Sequence, residues 1–236
     1  MSRASDLDRL YDLLDRLESN VGGRRRLEEC TGHMDWPDRG VYFFFATDET
    51  RDATDQLRLT RVGTHAVSAG SGTTLWNRLR THRGANRGSY EGGGNHRGSV
   101  FRKHVGRAMI ERDGLGDEHP HWGTGSTADR ERRLGELEHE RRVSEYVRDL
   151  PFLWVDIDDE PGPESDRAAV ERNAIALVSN YGKEAIDCRG DGWLGRDSPR
   201  REIGESGLWN IDHVDEGYDA AFLDRLAGAV SETAGL

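Results

Sequence analysis

Glu171 stands on an apolar helical stripe, because Ala174, Ile175 and Val178 follow it at i+3, i+4 and i+7 and share its face. A carboxylate there is costly unless it is paired or bound to a metal ion. Position alone leaves two readings open: a buried ion pair with an arginine such as Arg172, or a ligand for a hard divalent cation. Arg78 and His82 lie at i and i+4, on one face of a second helix. The Arg78 guanidinium offers a planar fork of donors to a phosphate, and the His82 imidazole can accept or relay a proton. The alternative for both is a polar face turned to solvent. Tyr42 closes the tripeptide Gly40-Val41-Tyr42, Arg61 opens Arg61-Val62-Gly63, and His65 follows two residues later.

The elements that carry these residues follow from hydrophobic periodicity. Leucines at 7, 10, 13, 14 and 17 predict an amphipathic helix over residues 5–19, and residues 24–39 read as a connector. The β-branched and aromatic run 41–46 predicts a buried strand. The polar stretch 47–55 predicts a hairpin loop, and the alternating residues 56–62 a half-buried second strand. A helix capped by Thr73 or Thr74 carries Arg78 and His82. Residues 83–98 hold six glycines and few apolar side chains, which predicts mobility. A basic helix is expected over 99–112 and a solvated one over 127–148. A third strand follows at 151–157, then a wide-faced buried helix over 164–180 with Glu171, an irregular Trp- and Gly-rich stretch 181–215, and a last helix over 216–229.

The expectation is an α+β fold. It comprises one domain over residues 1–236: a helix and connector to residue 39, a core over 40–180 carrying a basic insertion at 83–125, and a tail from 181. Net charge is −11, yet residues 78–112 hold nine Lys or Arg against two acids. That stripe predicts local affinity for a phosphate backbone despite the acidic total. Arg97, Arg102, Lys103 and Arg107 are its candidate phosphate contacts. Asn180, at the end of the Glu171 helix, is a candidate to orient a phosphate or water, or simply to cap the helix. Cys30 and Cys188 form no C-x-x-C pair, which argues against a cysteine zinc site. No apolar run is long enough for a membrane span and no signal peptide opens the chain, so a cytoplasmic protein is expected.

In their order and on these elements, the residues resemble the GIY-YIG nuclease superfamily, whose restriction-endonuclease branch also carries insertions around a minimal core. Gly40-Val41-Tyr42 and Arg61-Val62-Gly63 stand for its two tripeptides, Arg78 and His82 for its helix Arg and His, and Glu171 for its last acid. The resemblance covers roughly residues 40–82 and 150–180. It implies a three-stranded antiparallel sheet flanked by helices, with helical additions at both ends. It implies an endonuclease that hydrolyses DNA phosphodiester bonds with Mg²⁺ or Mn²⁺ held by Glu171. Arg78 would stabilise the phosphate charge, and Tyr42 would act near the attacking water. Arg61 is a departure, since the family usually has tyrosine there and arginine is no base at neutral pH. Either Tyr42, His65 or His82 moves the proton, or the chain is an inactive nucleic-acid-binding module that kept the fold. A third reading is a fold turned to protein contacts.

Overall fold

The computed structural model describes residues 2–52 and 54–236. Helix α1 (Arg3–Val21) begins where the Ser2 side chain accepts the Ser5 amide and ends at Gly22, whose φ of 78° turns the chain back. A two-residue strand, β1 (Arg25–Arg26), and a short 3-10 turn at Leu27–Glu29 follow, in a stretch read from sequence as a connector. Strands β2 (Gly40–Thr50) and β3 (Leu57–Gly63) form the hairpin. Helix α2 (Leu75–Arg83) starts where Thr74 Oγ1 accepts the Asn77 amide at 3.2 Å. Helices α3 (Val100–Asp113), α4 (Arg130–Gly135) and α5 (Leu137–Asp149) precede β4 (Pro151–Asp156). Helices α6 (Asp166–Val178), α7 (Arg201–Ser206) and α8 (Phe222–Glu232) complete the chain.

The fold is α+β, with one antiparallel sheet in the order β1-β4-β2-β3 flanked by helices. Three of its strands are those the sequence predicts, and β1 adds a fourth at the edge of β4. Strand β2 is central, which explains why Val41–Ala46 is apolar on both faces and wholly buried. It runs past the predicted strand end to Thr50, because the hairpin arms are pinned across by Arg58 and Glu49 at 2.7 Å. Helix α6 packs on β3 and β2, and α1 packs on α8, β4 and α6. The Gly40 end of β2 lies beside Leu75 of α2, and α6 lies across β3 and β2.

The basic insertion differs most from expectation. Its arginines are spent on acids. Arg102 is fully buried and reaches Glu140 through Nη2 at 2.5 Å and Nε at 3.1 Å. Arg97 forms a two-pronged pair with Glu136 at 2.6 and 2.8 Å, which draws Glu136 inward and divides the predicted 127–148 helix into α4 and α5. The glycine-rich loop is tied down as well, since Ala85 donates to the Gly93 carbonyl at 2.8 Å and Gly92 to the Ala85 carbonyl at 3.0 Å. Glu140 Oε1 also accepts the His96 amide at 2.6 Å. Burial alone would raise the Glu140 carboxyl, but the His96 and Arg102 donors outweigh it and hold it at about 2.

A Glu140→Ala variant leaves Arg102 charged and unpaired in the interior and should lose about 3–5 kcal/mol of stability, measured by urea denaturation. Because the folded pKa is depressed, wild-type stability owed to Glu140 is present above the ordinary glutamate range and falls as pH drops towards about 2. The gap between the two proteins should narrow over that interval.

Candidate active site

Four elements converge at one end of the sheet. Strand β2 supplies Tyr42, β3 supplies Arg61, α2 supplies Arg78 and His82, and α6 supplies Glu171. The glycines of the two tripeptides permit this. Gly63 pairs directly across from Tyr42, and a Cβ at 63 would overlap the Tyr42 ring and hydroxyl. Gly40 sits so near the Val155 carbonyl that a side chain there would force β2 from β4. Thr64 locks the hairpin end, since its Oγ1 donates to the Gly40 carbonyl at 2.8 Å and its amide donates to Glu171 Oε1 at 3.0 Å.

Glu171, Arg61 and Arg78 line one cavity of about 150 Å³, closed by Val100, Ile175 and the tail segment Trp209–His213. Burial raises the pKa of Glu171, countered by Arg61, the Thr64 amide, His213 and Arg78. Arg78 is held firmly charged, first by the Tyr42 phenol beside it, against the effect of its own burial, with Glu171 adding to the effect. Two guanidinium groups share the wall with the Glu171 carboxylate and with Asp212 of the tail, so the formal charges of the lining balance, while Arg61 Nε and Arg78 Nε have no partner among the described residues and can serve an anion.

Tyr42 and His82 form the layer behind Arg78. Both are wholly buried, and the Tyr42 hydroxyl lies 2.9 Å from His82 Nε2. His82 Nδ1 lies 2.8 Å from Ser99 Oγ, the cap of α3. Burial, then Arg78, Arg61 and Arg102, hold the imidazole well below its ordinary pKa, so it is neutral. A neutral ring has one donor and one acceptor nitrogen, so one of Tyr42 and Ser99 donates to it and the other accepts. The Arg102 guanidinium also donates to the His82 carbonyl at 2.8 Å, which makes the insertion a brace for this relay.

The remaining sequence candidates lie elsewhere. His65 is buried, its Nδ1 2.8 Å from the Thr73 carbonyl, and burial with nearby Arg167 and Arg78 depresses its pKa to about 4. It is absent from the cavity wall. Arg97 and Arg102 are enclosed in their ion pairs and present no face to a phosphate. Arg107 pairs with Glu111 at 3.1 Å, and Lys103 is half-buried with its carbonyl accepting from Trp122. Asn180 clamps the loop after α6, accepting from Arg3 and from the Ile186 amide at 2.9 Å each, while Ser179 is the C-cap of the helix.

The sequence reading missed the tail's contribution. Trp209 donates its amide to the Thr60 carbonyl at 2.7 Å, and Asn210 bonds both the amide and the carbonyl of Val62 at 3.1 and 2.8 Å. These bonds cover the free edge of β3 and hold Arg61, whose Nη1 donates to the Trp209 carbonyl at 3.0 Å. His213 follows in the left-handed region with φ of 65°. The only local signal was the His213-x-x-Glu216 spacing, inside a stretch with no periodicity.

A family model described as the GIY-YIG domain matches residues 1–236. The chain belongs to the GIY-YIG domain family. No curated protein and no solved structure matches it. Membership implies a nuclease-type activity; of the two tripeptides read from the sequence on β2 and β3, only Arg61 lines the cavity. Among the described residues no helix is long and apolar enough to cross a membrane. GIY-YIG nucleases generally use a divalent metal. Among the described residues no group of three or more His, Cys, Asp or Glu could hold an ion, so an all-protein cage is not present. A single-carboxylate site does fit, because Glu171 Oε1 is anchored by Thr64 while Oε2 makes no protein hydrogen bond.

Because its folded pKa is raised, Glu171 contributes stability that is present below the ordinary glutamate range and lost as pH rises through the folded value. A Glu171→Gln variant keeps an acceptor for Thr64 without the buried charge. Without divalent ions it should gain on wild type as pH rises, reaching about 1 kcal/mol near neutrality by denaturant titration. A variant no more stable than wild type would show that burial does not strain this carboxylate.

Proposed function

We propose that the chain is a divalent-metal-dependent endonuclease that hydrolyses phosphodiester bonds in DNA. The observation that carries this reading is the convergence of Glu171, Arg61 and Arg78 on one cavity. The cavity is large enough for a phosphate and a few waters. Arg78 and Arg61 would grip the non-bridging phosphate oxygens and stabilise the charge that gathers there. Glu171 would hold Mg²⁺ or Mn²⁺ through Oε2, and the bound ion supplies polarisation of the phosphoryl group. The Tyr42–His82–Ser99 chain fixes the floor on which Arg78 rests and can exchange its protons as a unit.

Beside α2 lies a groove of about 480 Å³ lined by Arg80, Arg133, Tyr90, Asn95 and the glycines 84, 94 and 98. No acid lines it, and Arg80 and Arg133 form no ion pair among the described residues. Its glycine floor admits a nucleic-acid backbone at close range, and Tyr90, with Arg133 stacked over it at 3.8 Å, offers an aromatic face to a base. This groove, rather than the paired arginines of α3, is the better phosphate track.

One observation favours a second reading, that of a binding module which does not cleave. Arg61 replaces a tyrosine of the family pattern, and the Tyr42 hydroxyl is sealed from the cavity. The two readings separate in a plasmid-cleavage assay with Mg²⁺ or Mn²⁺. The endonuclease reading expects cutting by wild type, none above background by Glu171→Ala, and a loss on the order of 10²–10³-fold for Arg78→Ala. Salt-sensitive DNA binding with no cutting in either ion would select the binding module. Glu171→Ala cutting as fast as wild type would remove Glu171 from the metal role.

A further inference from the structure

The cavity wall holds one imidazole, and it comes from the tail. His213 lines the cavity with Glu171, Arg61 and Arg78, whereas His82 and His65 do not. Its Nδ1 lies 2.8 Å from Glu216 Oε1, and Glu216 Oε2 accepts from Arg172 Nε at 2.5 Å. The bond to His213, then that to Arg172, outweigh the upward pull of burial and hold the Glu216 carboxyl below its ordinary range. It is therefore an ionised acceptor. An ionised carboxylate only accepts, so Nδ1 carries a proton, and in the neutral ring Nε2 is the nitrogen with the lone pair. Nε2 makes no hydrogen bond among the described residues and is not closed off.

The backbone at this position adds an independent observation. His213 is one of three non-glycine residues with positive φ among those described. Such conformations persist where the surroundings over-determine them, and they cluster at functional sites. The surroundings here are the tail's bonds to β3 and the Glu216–Arg172 pair on α6. The charged groups that face the ring are Glu216 and Asp212 from its own loop, Glu171 and Arg172 from α6, Arg61 from β3 and Arg78 from α2.

We infer that His213, oriented by Glu216, is the group that takes the proton from the attacking water, an inference that rests on the endonuclease reading. Water's oxygen lone pair forms the new bond to phosphorus as Nε2 accepts the water proton. The bond from phosphorus to the leaving nucleoside oxygen breaks, its electron pair departs on that oxygen, and the oxygen takes a proton from solvent. The resulting imidazolium sits against the Glu216 carboxylate and returns its proton to bulk water. A carboxylate–imidazole pair open to the cavity replaces the tyrosine that Arg61 displaced. Tyr42 and His82 serve as positioning residues behind Arg78.

The experiment uses the full chain, supercoiled DNA and Mg²⁺. His213→Gly is the informative variant, because glycine suits the positive φ and leaves a hole the size of an imidazole. It should cut about 10²–10⁴-fold more slowly than wild type. Added imidazole should restore cutting, with more basic substituted imidazoles restoring more. His213→Asn also tolerates the backbone and should be as slow, yet fold as stably as wild type and need the same Mg²⁺ concentration for half-maximal rate. Glu171→Ala should stay inactive at every imidazole concentration. His213→Gly cutting at the wild-type rate, beside an active wild type and an inactive Glu171→Ala, would overturn the base and leave the endonuclease reading standing. A slow His213→Gly that ignores imidazole would also overturn it, as would a His213→Asn defect cured by more Mg²⁺. A wild type that cuts nothing would end both readings together.

Discussion

A carboxylate on the packed face of a helix must be compensated, and the arrangement around Glu171 is organised by that need. The face that carries Glu171 is apolar because it packs on β3 and β2, so the sheet cannot supply a counter-charge from its middle. Compensation comes from the strand ends and from α2: the Thr64 amide, Arg61 and Arg78. Three partners for one carboxylate exceed what an ion pair requires. The open cavity between these groups distinguishes this arrangement from a structural salt bridge such as Arg102–Glu140, whose groups close on each other without leaving space.

Holding two guanidinium groups together has its own cost, and the peripheral elements meet it. Arg61 is anchored by the Trp209 carbonyl, which requires the tail to run along β3. Arg78 rests against Tyr42, and Tyr42 is fixed by His82, which is fixed in turn by Ser99 and Arg102 of the insertion. The insertion and the tail therefore act as supports for a charged site, and their own charges are largely neutralised before they reach the surface. Part of the basic stripe seen in the sequence is neutralised, because each of Arg97, Arg102, Arg107 and Arg112 finds an acid, while Arg80 stays unpaired among the described residues.

What was legible in the sequence was local. The run 41–46, the Thr74 cap and the spacing around Glu171 each reflect a neighbourhood of a few residues, so strand, helix and candidate ligand could be read together with their family resemblance. What was not legible depended on partners distant in sequence. Nothing near Arg102 announces Glu140, 38 residues away, and nothing near Arg61 announces Trp209, 148 residues away. The glycines of 83–98 looked like slack chain, yet several of them let Arg102, Arg141 and Leu137 approach the backbone. The irregular tail gave no period because its residues follow an existing strand edge, and its order comes from β3 rather than from itself.

A guanidinium at Arg61, where the family resemblance leads one to expect a tyrosine, then has a physical reading beyond the lack of a hydroxyl. A second guanidinium in the cavity strengthens the hold on a phosphate but repels any proton placed on a neighbouring imidazole. A histidine buried directly behind the arginines is driven neutral, first by its burial and then by their charge, which is the state of His82. A histidine that is to carry a proton transiently needs a carboxylate of its own, outside the reach of Glu171's commitments. Glu216 answers that requirement for His213, and Arg172 keeps Glu216 ionised from the solvent side of α6. If His213 is the base, the guanidinium on β3 and the carboxylate-backed imidazole on the tail are two parts of one electrostatic arrangement.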